Sequence, residues 1–458
     1  LERGNKYYLE GNYEKARLDY KNSLQISPDD IQARFGLAQT LEKLNFPRQA
    51  AGNYLKVIQL DPTHVEARIS ISRYYLNARV FERAQTVLDE ALTLSPRNAS
   101  AIALRGTLRA VKGEKELALN DAKKALKLEP SNLDATALLT GIYVSKNDNE
   151  KAIETLRNGI KLNPDNSQLR LLIASIYAKQ EQNGHAIEVL QKVITLNPQK
   201  LEYRLQLSRF YDSNKATNEA LRILKAAVNE LKEKENAILA LTDYIAKRIS
   251  KNEAEIELTS YIDKYPELYE LQLGLARLYI GQEKLKQAKE IYLTIIEKEN
   301  NLKYGLISKT QLAQIYIKEN LIDKAVIQID EVLKENSQDT LALILRGTMS
   351  LAKNKLVDAI GDFRTVLRNQ PNHPVATKLL AQAHLANNEP ELARKQYIQA
   401  INVSPRNTSL KLELAKIFVN EGKLDRAIKV LQKATKLNPK NMAALYTRLF
   451  YVLGTWAQ

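Results

Sequence analysis

Thirteen alanines recur at a fixed interval: Ala16, Ala50, Ala84, Ala118, Ala152, Ala186, Ala220, Ala254, Ala288, Ala325, Ala359, Ala393 and Ala427. The step is 34 residues everywhere except between Ala288 and Ala325, where it is 37. A period of this size marks an array of like supersecondary units, each burying its apolar face against its neighbours. At about 150 residues per domain, a chain of 458 residues would otherwise suggest roughly three globular domains. The repeat replaces that expectation with one elongated solenoid.

The clearest unit is 99–132, ASAIALRGTLRAVKGEKELALNDAKKALKLEPSN. Its apolar residues fall at helical spacing in two blocks, Ile102 to Val111 and Leu117 to Leu128. Lys112-Gly113 breaks the first block, and Pro130, which has no N–H and restricts the residue before it, ends the second. Ser131 and Asn132 are suited to capping the next helix. Two positions stay small in every copy, as antiparallel helices crossing closely require. One is the repeated alanine. The other lies twelve residues earlier, at Gly4, Ala38, Ser72, Gly106, Thr140, Ala174, Ser208, Thr242, Ala276, Ala313, Gly347, Ala381 and Ala415.

This pattern resembles the tetratricopeptide repeat. Repeat 99–132 matches the family signature with Gly106, Gly113, Ala118, Ala125 and Pro130, and Tyr75, Tyr143, Tyr177, Tyr211, Tyr279 and Tyr316 fill its tyrosine position in other copies. The tryptophan common near the start of family repeats is missing, with Arg34, Arg68, Arg170 and Arg204 in that place. The resemblance implies an all-α, right-handed superhelical solenoid of about thirteen helix-turn-helix repeats plus a C-terminal helix.

Pro28, Pro62, Pro96, Pro130, Pro164 and Pro198 keep phase through the first six repeats. We expect repeats one to seven over 1–234, a degenerate repeat eight over 235–268 held in register by Ala254 and Pro266, and repeats nine to thirteen over 269–439. Repeat eight reads as a softer joint. Pro47 and Pro390 are expected in the turn between a repeat's two helices, and Pro374 at the start of a helix. ENNLKY at 299–304 accounts for the three extra residues as a longer turn. Pro371, Pro405 and Pro439 restore phase. Residues 440–458 read as a further helix, apolar through Leu449, Phe450, Tyr451, Val452, Leu453 and Trp456, so it packs on repeat thirteen, docks elsewhere or continues into more chain. Because Leu1 already lies inside a first helix, we expect upstream residues, and any targeting signal with them, to have been removed.

Cysteine is absent, which excludes disulfides, thiol catalysis and Cys-based zinc sites. No apolar run approaches the roughly 20 residues needed to span a bilayer. Lysine and arginine number 68 against 53 acids, a net charge of +15 spread along the chain. That permits an acidic partner, and it equally describes a solvated surface of basic helices. Of four histidines, His64 and His373 sit in inter-repeat turns, His185 precedes a repeated alanine, and His384 replaces the tyrosine as a packed aromatic. We find no phosphate-binding glycine loop, nucleophile–base constellation or metal-ligand cluster, and expect no cofactor and no enzyme.

The concave face is the usual binding surface of a solenoid. The family resemblance implies that first helices line it through repeat positions 2, 5, 6, 9, 12 and 13. Apolar residues there include Leu104, Ala137-Leu138, Leu171-Leu172, Ile344-Leu345 and Leu379; basic ones include Lys43, Arg73, Lys179, Arg209, Arg277, Lys318 and Lys416. The candidate groove thus has two apolar stretches, in repeats four to six and eleven to twelve, with positive rims. It suits an extended or helical peptide with apolar anchors and acidic flanks. The alternative is that these leucines pack between neighbouring first helices. The carboxylate clamp of chaperone-tail adaptors is not reproduced: Phe35, Ile69 and Ala103 occupy its place, and Asn5 and Lys378 are isolated fragments.

The leading reading is a non-enzymatic interaction scaffold for protein or peptide partners. Asn/Lys-rich phrases such as YLEGNYEKARLDYKNSLQISPDD are similar to bacterial repeat proteins of envelope and exopolysaccharide export, which implies a periplasmic or membrane-anchored location, with the cytoplasm as the alternative. A second reading is the recognition arm of an enzyme such as a glycosyltransferase. A third is an RNA-binding helical repeat, which the commitment of aromatics to packing positions disfavours.

Overall fold

A computed structural model describes residues 1–370, 373–403 and 407–435. Among the described residues the chain forms twenty-six helices in thirteen antiparallel pairs, and no strand. It divides into two units, Leu1–Lys232 and Glu233–Gln458.

The first unit holds α1 (Glu2–Leu9), α2 (Tyr13–Ile26), α3 (Ile31–Lys43), α4 (Pro47–Leu60), α5 (Val65–Asn77), α6 (Phe81–Leu94), α7 (Ala99–Val111), α8 (Lys115–Leu128), α9 (Leu133–Ser145), α10 (Asn149–Leu162), α11 (Ser167–Lys179), α12 (Asn183–Leu196), α13 (Leu201–Ser213) and α14 (Thr217–Glu230). The second holds α15 (Lys234–Arg248), α16 (Lys251–Lys264), α17 (Tyr269–Ile280), α18 (Leu285–Glu299), α19 (Lys303–Lys318), α20 (Ile322–Glu335), α21 (Thr340–Ala352), α22 (Leu356–Asn369), α23 (Pro374–Ala386), α24 (Pro390–Val403), α25 (Thr408–Asn420) and α26 (Leu424–Thr435). Within each unit every helix packs on the next in the chain, so the core is a line of local clusters.

The repeated alanines make the crossings. All thirteen are at most 1 % exposed, and the thirteen small residues of the first helices are buried opposite them. At Gly106 a methyl group would stand 3.3 Å from the Ala118 carbonyl and 2.5 Å from Leu138 Cδ2. At Ser208 the hydroxyl instead donates across the crossing to the Ala220 carbonyl at 3.3 Å.

One turn closes nearly every pair. A residue with positive φ follows the first helix at Gly11, Asn45, Arg79, Gly113, Asn147, Glu181, Lys215, Glu283, Asn320, Asn354, Asn388 and Gly422. The next N–H then reaches back five residues, as Asp148 does to Tyr143 at 2.9 Å and Lys284 to Tyr279 at 2.9 Å. That 6→1 bond satisfies a helix-end carbonyl in the Schellman manner. Repeat eight departs from this scheme. Its residue at that place is Ile249, with φ −117°. A β-branched side chain is a genuine outlier in the left-handed region, so α15 ends differently and Ser250 caps α16 through the Glu253 N–H at 3.0 Å.

Inter-repeat turns are held by side chains. Asp30, Asn98, Asn132, Asn166, Asp339 and Asn407 cap first helices. His64 and His373 do the same, each Nδ1 accepting a backbone N–H at 3.2 Å. The arginines standing in the tryptophan's place also reach these turns. Arg34, Arg170 and Arg204 donate to the carbonyls of Pro28, Pro164 and Pro198, and Arg68 pairs with Glu90 at 3.1 Å.

Two expectations are corrected. Pro47 and Pro390 are the first residues of α4 and α24 rather than turn residues, the place where a missing N–H is harmless. The extra residues near 299–304 lengthen helices instead of the turn: α19 has 16 residues where most first helices have 13. The chain turns over in three residues, and Gly305 makes this feasible, since a Cβ there would lie 2.0 Å from the Glu299 carbonyl oxygen. Pro371, Pro405, Pro439 and the helix expected at 440–458 lie outside the described residues.

Candidate functional site

The first helices α5, α7 and α9 of repeats three to five, with Lys115 at the start of α8, line a pocket of about 530 Å³. Its apolar wall comes from Leu76, Leu104, Ala110, Ala137, Leu138 and Ile142; its polar groups include Arg73, Asn77, Thr107, Lys115, Asp134 and Ser145. Leu104 and Leu138 are 4 % and 7 % exposed. They are packed between neighbouring first helices and still form the pocket's floor. Gly106 lets Leu138 settle against α7, and Gly141 leaves the floor of α9 low.

Arg73 crosses this pocket's rim to Asp134, two repeats away, with Nη2 at 2.9 Å from Oδ2 and Nε at 3.3 Å from Oδ1. Burial works to lower the Arg73 pKa, but the Asp134 carboxylate outweighs it and the guanidinium is held above its ordinary value. Asp134 was not foreseen as a site residue, although it stands at repeat position 2, one of those the resemblance names.

The other candidates are dispersed. Leu172 is an exposed apolar residue on α11, 38 % accessible, with Lys179 exposed at that helix's end and Arg209 exposed on α13. In the second unit, Arg277 lies 3.6 Å from Glu270 and borders a hollow of about 410 Å³ with Leu239, Thr242, Asp243, Leu258 and Gly274. Leu345 is half-buried against the cluster around Leu343, and Leu379 against that around Phe363. Lys416 is exposed and pairs with Glu413 at 2.9 Å. The structure therefore gathers Arg73, Leu104 and Leu138 into one pocket and leaves the remaining seven outside it.

A second set of charges is structural. In repeats one, four and eleven, an arginine grips an aspartate sixteen residues later: Arg3–Asp19, Arg105–Asp121 and Arg346–Asp362, each through two hydrogen bonds of 2.6–3.0 Å. These are the three repeats with glycine at the small position of the first helix, directly after the arginine. At Gly106 and Gly347 an added Cβ would lie 2.9 Å and 3.2 Å from the aspartate's own Cβ. Glycine thus lets the second helix come close enough for the fork to close. An Arg-Gly pair with aspartate sixteen residues on is visible in the sequence, and it is the signal that reading missed.

His384 is buried with Nδ1 2.6 Å from Glu389, and His185 stacks on Tyr177 at 5.1 Å. Among the described residues no cluster of His, Cys, Asp or Glu is arranged to hold a metal, and no helix is long and apolar enough to cross a membrane.

Paired helices, small-residue crossings and a pocketed first-helix face define a helical-repeat interaction module. The chain belongs to the tetratricopeptide-repeat family. It matches the TPR repeat at residues 4–45, the tetratricopeptide repeat at 113–176, 167–200 and 378–446, and the tetratricopeptide repeat-like domain at 239–379. Among curated proteins it is similar to chicken (Gallus gallus) DnaJ homolog subfamily C member 3, 26 % identical over 222 residues. That alignment covers 44 % of this chain and 41 % of the relative, so the chain spans about two fifths of the relative's length. Among solved structures it resembles the APC/C hetero-tetramer Cut9-Hcn1, with TM-score 0.41 and 16 % identity over 97 % of this chain and 94 % of that one. It also resembles YrrB, a TPR protein with an unusual peptide-binding site, with TM-score 0.26 and 18 % identity over 40 % of this chain and 95 % of that one.

Proposed function

We propose that this chain is a non-enzymatic scaffold that captures protein segments along its first-helix face. The observation that carries the reading is the pocket of repeats three to five, an apolar floor rimmed by Arg73 and Lys115. Buried leucines there cannot act as protruding anchors; they form a receptacle for a partner's apolar side chains. Exposed Leu172, Lys179 and Arg209 extend the same kind of surface along the first unit. A Leu172→Glu bait, compared with wild type in pull-downs, is expected to lose a defined set of proteins while keeping its helical spectrum. Equal recovery by both baits overturns the assignment.

We further propose service in a bacterial envelope assembly or an export system for polysaccharide or protein. The support is the sequence resemblance of the Asn/Lys-rich repeats. Fractionation of source cells tests it: recovery solely with soluble cytoplasm overturns it.

A further inference from the structure

We propose that the Arg73–Asp134 ion pair is an internal occupant of the partner's carboxylate site, so that an acidic leucine-bearing segment binds by replacing Asp134 on Arg73. The inference rests on the groove reading above and names the partner chemistry.

The pair is unlike the chain's structural ion pairs. Arg105–Asp121 and Arg346–Asp362 lie within one repeat, and their aspartates are 5 % and 9 % exposed. Arg73 and Asp134 are 61 residues apart, and the bond passes from α5 to α9 across the intervening first helix. Their side chains are 40 % and 22 % exposed, so an incoming carboxylate has access to the guanidinium. A pair this accessible contributes only about 0.2–1 kcal/mol, which a better-placed carboxylate can match. Charge complementarity sets the sign. The charged groups lining the pocket are Arg73, Lys115 and Asp134, and the Glu42 carboxylate acts on Arg73 from α3 without a hydrogen bond to it, so moving Asp134 aside leaves two cations beside an apolar floor against one more distant carboxylate. The guanidinium fork suits a carboxylate bidentately, and the floor beneath takes aliphatic side chains next to it.

The test uses the full chain and fluorescein-labelled Gly-Leu-Glu-Glu-Leu-Glu-Gly as probe, beside one peptide with Gln for every Glu and one with Ala for every Leu. Asp134→Asn should tighten binding of the acidic peptide about two- to fivefold, the range a freed exposed pair supplies. Arg73→Gln should weaken it about tenfold, and Asp134→Asn added to Arg73→Gln should change nothing further. Thermal melts verify that each variant is folded, and Arg73→Lys, which keeps charge without the fork, should fall between wild type and Arg73→Gln. Equal affinity for the Gln peptide, or no tightening in Asp134→Asn, overturns the exchange. If the acidic peptide still binds in that case and Leu172→Glu weakens it, the groove reading survives alone; if no peptide binds any variant, both fail. Self-association strengthened by Asp134→Asn, without peptide binding, would assign the site to a second copy of the chain and overturn the peptide assignment.

Discussion

Asp121 accepts from Arg105 twice and from Arg109 once, at 2.6–3.0 Å, while itself nearly buried. Removing the carboxylate by Asp121→Ala takes both hydrogen bonds from Arg105 at a helix crossing and leaves Arg109 with Glu114 at 3.9 Å. A fully buried pair broken this way costs about 3–5 kcal/mol; these arginines retain contact with water, so we expect about 2 kcal/mol by urea titration. The crossing itself is tested by Ala118→Leu, where overpacking should cost about 1–3 kcal/mol and lower the melting temperature. Acid should act on the other carboxylates. Asp19 is held below its ordinary pKa by the hydrogen bond from Arg3, Glu255 by that from Lys284, and Glu421 by that from Lys423. A carboxyl whose pKa falls on folding adds stability above its unfolded pKa and loses it as pH falls through the folded value. The urea midpoint should therefore hold from neutrality down to the ordinary carboxylate range and decline below it.

Helices and their phase were legible because both small positions and the prolines recur in register. The turns were only half legible. Lys112-Gly113 announced a break, but the same left-handed place is filled elsewhere by Arg79, Glu181 and Lys215, residues with no turn signature of their own. The 6→1 bond of each packed helix pair, such as Val80 N–H to the Tyr75 carbonyl at 2.9 Å, holds that conformation against local preference, so Arg79→Gly should raise the thermal midpoint slightly, recovering part of the roughly 1–2 kcal/mol of αL strain less glycine's entropy. Gly305 is the opposite case. Its missing Cβ would meet backbone rather than flexible side chain, so Gly305→Ala should lower the midpoint far more than Gly52→Ala, where nothing lies within 4 Å. The three added residues were misplaced into a turn because spacing reveals an insertion's length, while packing decides which element absorbs it. The candidate site was less legible still. Positions 5 and 6 name leucines, but whether they protrude or form a floor depends on how closely adjacent first helices approach, which Gly106 helps to set by leaving room for Leu138.

At the scale of the whole molecule, contacts run from each helix to its neighbours within a unit, so stability is distributed rather than centred. A fragment ending at Lys232 is expected to remain helical and unfold cooperatively, as circular dichroism on thermal and urea ramps can verify. With its surplus of 15 positive charges, the full chain should hold acidic partners less tightly as salt rises from 0.05 to 0.5 M, the change being steepest for rim contacts. The repeating turn has a consequence for ancestry. Because the left-handed residue and its 6→1 bond recur in twelve of thirteen repeats, a duplication or loss of whole 34-residue units joins compatible surfaces, whereas a shift of a few codons inside a unit breaks a crossing. Gene lengths among descendants of such a chain should therefore differ mostly by whole repeats, with the stretch before Gly305 a place where a three-codon addition has been absorbed.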